Sequence, residues 1–361
     1  MKLKTNIFSF DLARALAIIG VVAIHVFYPI YSRPDFLGGI SWWFAYFVNS
    51  ASRIAVPFFL MVSGSLLLPR NPGNEIKDTL SRIIFRLGLP LVFWASVYFW
   101  WEYHYYGRLI YPDQAVYLFF TGSIFHLYFL VILLGLYLFL PLWRVFINCA
   151  SELQKQYSII TALILGMIIY AFQFFLYRDK TIFNFFTLWI PYLGYFLAGT
   201  YLAGLPQTIK KRQVALIIFF TAFMFTLIFG YFNLKFLSQS MLFFWGMGGS
   251  EYATNWLSPN VILMSLSGYF LIMPINGISS WIDQVIHSVA KASLGIYLIH
   301  LIIINLLDKY LGFYLDFQTG KLWLYGIKKM IVVFLLSWII TLIAGKIPLL
   351  KIIFGEKSSR G

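Results

Sequence analysis

The sequence predicts an all-α integral membrane protein: a bundle of about ten transmembrane helices with both termini in the cytoplasm. Three observations carry that expectation. Of 361 residues, 61% are hydrophobic, 20% aromatic and only 11% charged, and the mean hydropathy of +0.81 lies far outside the range of soluble domains. The apolar residues fall in stretches of about 20, the length that crosses a hydrocarbon core of ~30 Å. Lys and Arg gather on alternate sides of those stretches, as the retention of positive charge in the cytoplasm requires.

The stretches lie, in order, near 12–31, 42–68, 83–105, 123–146, 158–177, 182–204, 213–233, 260–277, 291–308 and 328–347. The first follows Lys2 and Lys4, but Arg14 interrupts its apolar run and no small-x-small site follows, so it reads as a retained span rather than a cleaved leader. The second carries Asn49, Ser52 and Arg53 close to mid-depth. Asn49 and Arg53 share a face at i, i+4, and Pro57 removes the backbone donor that the carbonyl of Arg53 would otherwise have. The third enters through SRIIFRLGLP, with Arg82 and Arg86 one turn apart; the fourth has His126 at its outer start, and the ninth has His300 about midway. An even number of spans puts both ends on one side. With that side inside, sixteen Lys and Arg are cytoplasmic and nine external, leaving Arg14 and Arg53 within spans. The expected organisation is a single transmembrane domain over 1–347 and a short cytoplasmic tail, 348–361, with no internal repeat and no fused soluble domain.

The net charge of +14 is explained by this topology, and no basic run is interleaved with polar base-reading residues. The lipid bilayer is therefore the expected partner, not nucleic acid. Cys149 is the only cysteine, which excludes an internal disulfide and a thiolate metal cluster. Neither a phosphate-binding Gly-rich loop nor an HExxH pattern is present, and no metal is expected.

An ionisable residue in hydrocarbon is a functional candidate because its burial is expensive unless it lines a cavity or is paired. Arg14 and His25 lie eleven positions apart in LARALAIIGVVAIHVFYPIY. That spacing returns a helix to within about 20° of one face and separates the two groups by roughly 16 Å. Asp11, one turn from Arg14, is expected to pair with it near the inner surface. Arg53 reads either as a fixed cation in a polar tunnel or as a snorkelling or Asp11-paired residue of a kinked helix. Arg82 and Arg86 repel each other unless an anion sits between them, and planar guanidinium forks suit phosphate; ordinary inner-end anchoring is the plainer alternative. His25, His126 and His300 together allow one imidazole to act as base and another to orient it. His104, at the very end of the third stretch, and His287, outside the expected spans, are assigned no role. His25 lies about 20 Å above the inner end of its span, so a donor with an anionic head at Arg82 and Arg86 and an extended arm could bring a reactive group to it. Coenzyme A thioesters have that shape. The longest outer loop, near 234–259, holds Phe243, Phe244, Trp245, Trp256 and Glu251, which suit either a sugar acceptor or the interfacial aromatic belt.

The stretches FDLARALAIIGVVAIH, NSASRIAVPFFLMVSG, FHLYFLVILLGLYLFLPL and SLGIYLIH resemble acyltransferase family 3, membrane O-acyltransferases of bacterial surface polysaccharides. The resemblance covers nearly the whole chain, and the second and third stretches look most like the branch containing the O-acetyltransferase of enterobacterial common antigen. It implies that His25 is catalytic, through the family's Arg-x10-His element. It further implies acetyl-CoA as acyl donor, a glycan or glycolipid acceptor and a place in the bacterial inner membrane. Where the family often has Arg-x-x-Arg at the third span, this chain has Ile83 in one expected place and its pair is Arg82 and Arg86, and the extra periplasmic hydrolase-like domain that many relatives carry is not expected here. On this reading Arg14, Arg53 and His300 join His25 in catalysis, Arg14, Arg82 and Arg86 hold the donor, and Asn49, His126, Trp245 and Glu251 face the acceptor. The rival class is a secondary transporter or flippase for a glycan intermediate; the sequence shows neither an inverted repeat nor an intramembrane acid beyond Asp11. A non-catalytic partner of a polysaccharide synthase would leave the Arg14 to His25 stripe unexplained.

Overall fold

The computed structural model describes residues 7–69, 79–121, 125–177, 184–232, 234–235, 252–313 and 321–355, and among these it is helical with no strand. Fourteen α-helices follow in order: α1 (Ile7–Tyr31), α2 (Ile40–Ser52), α3 (Ala55–Leu67), α4 (Leu89–Tyr106), α5 (Pro112–Phe120), α6 (Tyr128–Leu138), α7 (Leu140–Cys149), α8 (Glu152–Phe172), α9 (Leu193–Gly204), α10 (Ile209–Phe232), α11 (Pro259–Ile272), α12 (Ser280–Leu311), α13 (Leu322–Ala344) and α14 (Pro348–Ile353). Arg82–Gly88, ahead of α4, is a π-helix.

The expected count of ten spans is corrected. Among the described residues seven helices are long and apolar enough to cross a membrane, and eight if the pair α6 and α7, bent by 58°, counts as one span. Proline explains most of the difference. Pro141 opens α7, lacks an N–H and crowds the preceding turn, so the fourth stretch bends instead of running through. In the sixth stretch Pro191 sits in a 3₁₀ turn and the α-helix is only the 12 residues of α9. In the eighth, α11 is bounded by Pro259 and Pro274 and has 14 residues, about 21 Å of helix against a core of ~30 Å. The second stretch is helical on both sides of a break at Arg53 and Ile54, where Pro57 withholds the donor for the carbonyl of Arg53.

The chain divides into two compact units, Met1–Val62 with Tyr201–Ile340, and Ser63–Thr200 with Thr341–Gly361. In the first unit α1 packs against α2 and α12, while α10 packs against α11. The most apolar windows of α1 and α12 are 67% and 61% buried, against 28% for α13, so the two helices that carry His25 and His300 are shielded, as the cost of ionisable groups in lipid requires. Gly20 lets α1 and α2 approach: a Cβ there would lie 3.4 Å from Ser52 and 3.3 Å from Ala55.

In the second unit a buried Arg144 donates from Nε to the carbonyl of Leu67 at 2.9 Å. This satisfies one of the orphan carbonyls at the end of α3 and places a cation at its negative pole. Gly64 packs directly on α9, where a Cβ would lie 1.8 Å from the carbonyl oxygen of Phe196, and Thr200 donates to the carbonyl of Gly64 at 2.9 Å. Ser151 caps α8 with Gln154 in a reciprocal box, the hydroxyl accepting from Gln154 N and Gln154 Oε1 accepting from Ser151 N.

Candidate active site

The polar groups of the first unit form two clusters on α1. Near its start, the carboxylate of Asp11 is buried between two basic side chains from different helices. Arg14 approaches at 3.5 Å from one turn along α1, and Nδ1 of His287 lies 2.7 Å away on α12. The pairing of Asp11 with Arg14 is as the sequence suggests. His287 is a correction: the helix expected to start near 291 begins at Ser280, which brings His287 into the same helix as His300 and against Asp11.

The second cluster lies further along α1. The imidazoles of His25 and His300 face each other with ring centroids 5.1 Å apart, inclined by 48°. His300 is fully buried, and its Nδ1 lies 2.7 Å from the carbonyl of Tyr297 and 3.2 Å from that of Ile296. A carbonyl only accepts, so Nδ1 carries the hydrogen, which in the neutral tautomer makes Nε2 the acceptor nitrogen. His25 therefore faces an imidazole whose tautomer is set by its own helix.

Arg53, at the break after α2, is held from two directions. Its Nη2 donates to the hydroxyl of Tyr31 at 3.0 Å and to Oδ1 of Asn49 at 2.9 Å. The ring of Trp256 lies 5.5 Å from its guanidinium carbon, a cation–π distance. Tyr31 is in turn fixed by α2, since Trp42 Nε1 donates to its carbonyl at 2.9 Å, and Trp42 stacks on Tyr46 with centroids 4.8 Å apart. With Gly20 against Ser52 below and Tyr31 bound to Arg53 above, the guanidinium lies along the stretch of α1 that carries His25. The bond from Arg53 settles the amide orientation of Asn49: its oxygen is used and its Nδ2 is left as a donor. Asn49 Nδ2 and Arg53 Nε are both buried and have no hydrogen-bond partner among the described residues. Two buried donors on hydrogen-bonded neighbours, one of them cationic, suit an oxygen acceptor that gains negative charge.

Of the other residues singled out in the sequence, Arg14 is on α1 with Asp11, eleven residues from His25, or ~16 Å along the helix. Arg82, half-buried, and Arg86, exposed, belong to the second unit and lie on the π-helix. His126 is also in the second unit, buried, with Tyr98 edge-on at 4.9 Å. Trp245 and Glu251 lie outside the described residues, as do Phe243 and Phe244. Asp11 is not the only acid on the long apolar helices: Glu102 lies on α4, and Asp308, in the last turn of α12, pairs with the buried Lys329 of α13. Sequence reasoning passed over Tyr31, Trp42 and His287. One signal was present. Pro29 stands four residues after His25 as Pro57 stands four after Arg53, so the carbonyls of both candidate residues lose their helical donor.

The family model described as an acyltransferase domain, acyltransferase family 3, matches residues 7–342, nearly the whole described chain. The chain belongs to acyltransferase family 3. No curated protein and no solved structure matches it significantly. Membership makes it a multi-pass membrane acyltransferase, and the match extends over α1 to α12 and most of α13, including both clusters.

Proposed function

We propose that the protein is an O-acetyltransferase of the bacterial inner membrane, moving acetyl from cytoplasmic acetyl-CoA to a hydroxyl of a cell-surface polysaccharide or its lipid-linked precursor. The observation that carries this reading is the apposition of His25 and His300 within the unit that also holds Arg53 and Asn49 with open buried donors. Acyl transfer to an alcohol needs a base for the hydroxyl proton and donors for the oxyanion that forms on the carbonyl oxygen. In this reading His25 removes the proton as the hydroxyl oxygen bonds to the thioester carbon. Arg53 Nε–H and Asn49 Nδ2–H hold the resulting oxyanion. The C–S bond then breaks, and the imidazolium of His25 returns its proton to the departing thiolate, so that free coenzyme A and the acetyl ester are the products. His300 is a positioning residue that presents an acceptor nitrogen toward His25.

The donor side rests on charge and length. Arg14 lies on the His25 helix at about the reach of an extended thioester arm, and its guanidinium is the fork proposed for the donor's phosphates. On the acceptor side Trp256, whose ring lies against Arg53, offers a face for a sugar ring, with Trp245 and Glu251 as further proposed contacts. Incubating purified protein with labelled acetyl-CoA and bacterial glycolipid tests the reading: label should move to glycolipid in wild type and not in His25→Ala. Transfer that survives the substitution would remove His25 from the chemistry.

A further inference from the structure

The first unit contains a second site unrelated to the histidine pair. Between the end of α9, the start of α10 and α11 lies a groove of about 470 Å³, lined almost wholly by apolar side chains, among them Leu205, Val214, Ile218 and Phe270, with Lys210 and Lys211 at one end. Its size falls within the roughly 300–1,000 Å³ of small-molecule sites. The helices that form it run antiparallel. Asn260 at the start of α11 donates to Thr226 Oγ1 at 2.7 Å, whereas Gly268 meets Phe219, so Phe270 lies toward the start of α10 where the lysines are.

We infer that this groove binds an anionic phospholipid, with the phosphate at Lys210 and Lys211 and one acyl chain lying between α10 and α11. Three features converge on that chemistry. Lys210, Lys211 and Arg212 are consecutive, no Asp or Glu occurs in the sequence between Asp179 and Glu251, and no acidic side chain pairs with either lysine among the described residues. The same residues open α10, a 24-residue helix, whose dipole adds partial positive charge at that end. The apolar part then extends from Lys211 to Ile218, about 10 Å along the helix, over the exposed apolar side chains of a helix long enough to cross a membrane. Charge alone would anchor a helix end without a cavity, and a cavity alone would accept any acyl chain. Their continuity selects an amphiphile with an anionic head, drawn from the leaflet to which positive charge assigns this end.

The experiment uses the full chain, delipidated in detergent and titrated with phosphatidylglycerol or phosphatidylcholine, with bound lipid counted by intact-protein mass spectrometry and the melting temperature followed in parallel. Wild type should retain phosphatidylglycerol preferentially and melt higher with it. Lys210→Gln/Lys211→Gln should lose roughly thirtyfold in that preference, the equivalent of about 1 kcal/mol for each lysine. Ser267→Phe, which fills the groove without altering charge, should lose the bound lipid while the lysines remain. Equal retention of the two lipids by wild type, an unchanged preference in the lysine variant, or stronger capture of a polyprenyl phosphate than of phosphatidylglycerol would each overturn the inference.

Discussion

Replacing Arg53 by Lys separates a cation that only balances charge from one that holds the acyl oxygen. The guanidinium spends Nη2 on Tyr31 at 3.0 Å and Asn49 at 2.9 Å and keeps a buried Nε–H open. Lysine preserves the charge but has no planar fork with which to hold both partners and still offer a third donor. Loss of one oxyanion donor costs about 10² to 10³ in kcat, or ~2.7–4 kcal/mol, so Arg53→Lys should fall in that range with little change in the KM for acetyl-CoA. Tyr31→Phe leaves the fork intact and removes one charge-assisted hydrogen bond, worth about 1.5 kcal/mol at a half-buried site. It should therefore slow turnover about tenfold. Because both changes act on one group, the double variant should be little worse than Arg53→Lys alone. The assay is release of free coenzyme A thiol by protein in nanodiscs with excess acceptor, with a melting curve confirming that each variant is folded. Wild-type kcat in Arg53→Lys would refute the oxyanion role and leave Arg53 as a structural cation.

Trp256→Ala should raise the acceptor KM several-fold more than it lowers kcat, since its ring adds about 1 kcal/mol beside Arg53; unchanged acceptor kinetics would assign the ring to the interfacial belt. Asp11→Asn deprives both Arg14 and His287 of their carboxylate and, with both partners partly exposed, should destabilise the fold by about 1–2 kcal/mol. Its melting curve should shift accordingly, and a shift no larger than that of an exposed Asp variant would count against the cluster. Gly64→Ala drives a Cβ into the Phe196 carbonyl at 1.8 Å, where backbone cannot yield as a side chain would. Overpacking of this kind costs about 1–3 kcal/mol or more, so yield and melting temperature should both drop, and normal values would show that α3 and α9 separate easily.

Much of the site was legible in the sequence because hydrocarbon is an unforgiving solvent. Arg53 with Asn49 one turn earlier, His25 and His300 each stand out against apolar neighbours, and the structure draws them into one unit. The i, i+4 relation of Asn49 and Arg53 appears as a hydrogen bond, and the break foreseen at Pro57 falls at Arg53 and Ile54. What could not be read is what depends on long-range packing. Tyr31 and Trp256 look like ordinary interfacial aromatics until α2 and the segment before α11 bring them to Arg53. His287 was set aside because α12 begins earlier than the apolar run, with polar residues whose partners lie on other helices. The π-helical course of Arg82–Gly88 has no mark in a local sequence that would equally support an α-helix. The span count erred for a related reason: hydropathy measures how long a segment stays apolar, and Pro141, Pro191, Pro259 and Pro274 decide how much of that length is helix.

The central claim is that His25 does the chemistry, and the most direct measurement is single-turnover transfer from labelled acetyl-CoA, wild type against His25→Ala, in the same nanodiscs with glycolipid present. The account predicts a loss of about 10²-fold or more in the rate of label transfer, with the variant folded and inserted. Transfer at the wild-type rate by folded His25→Ala would contradict it.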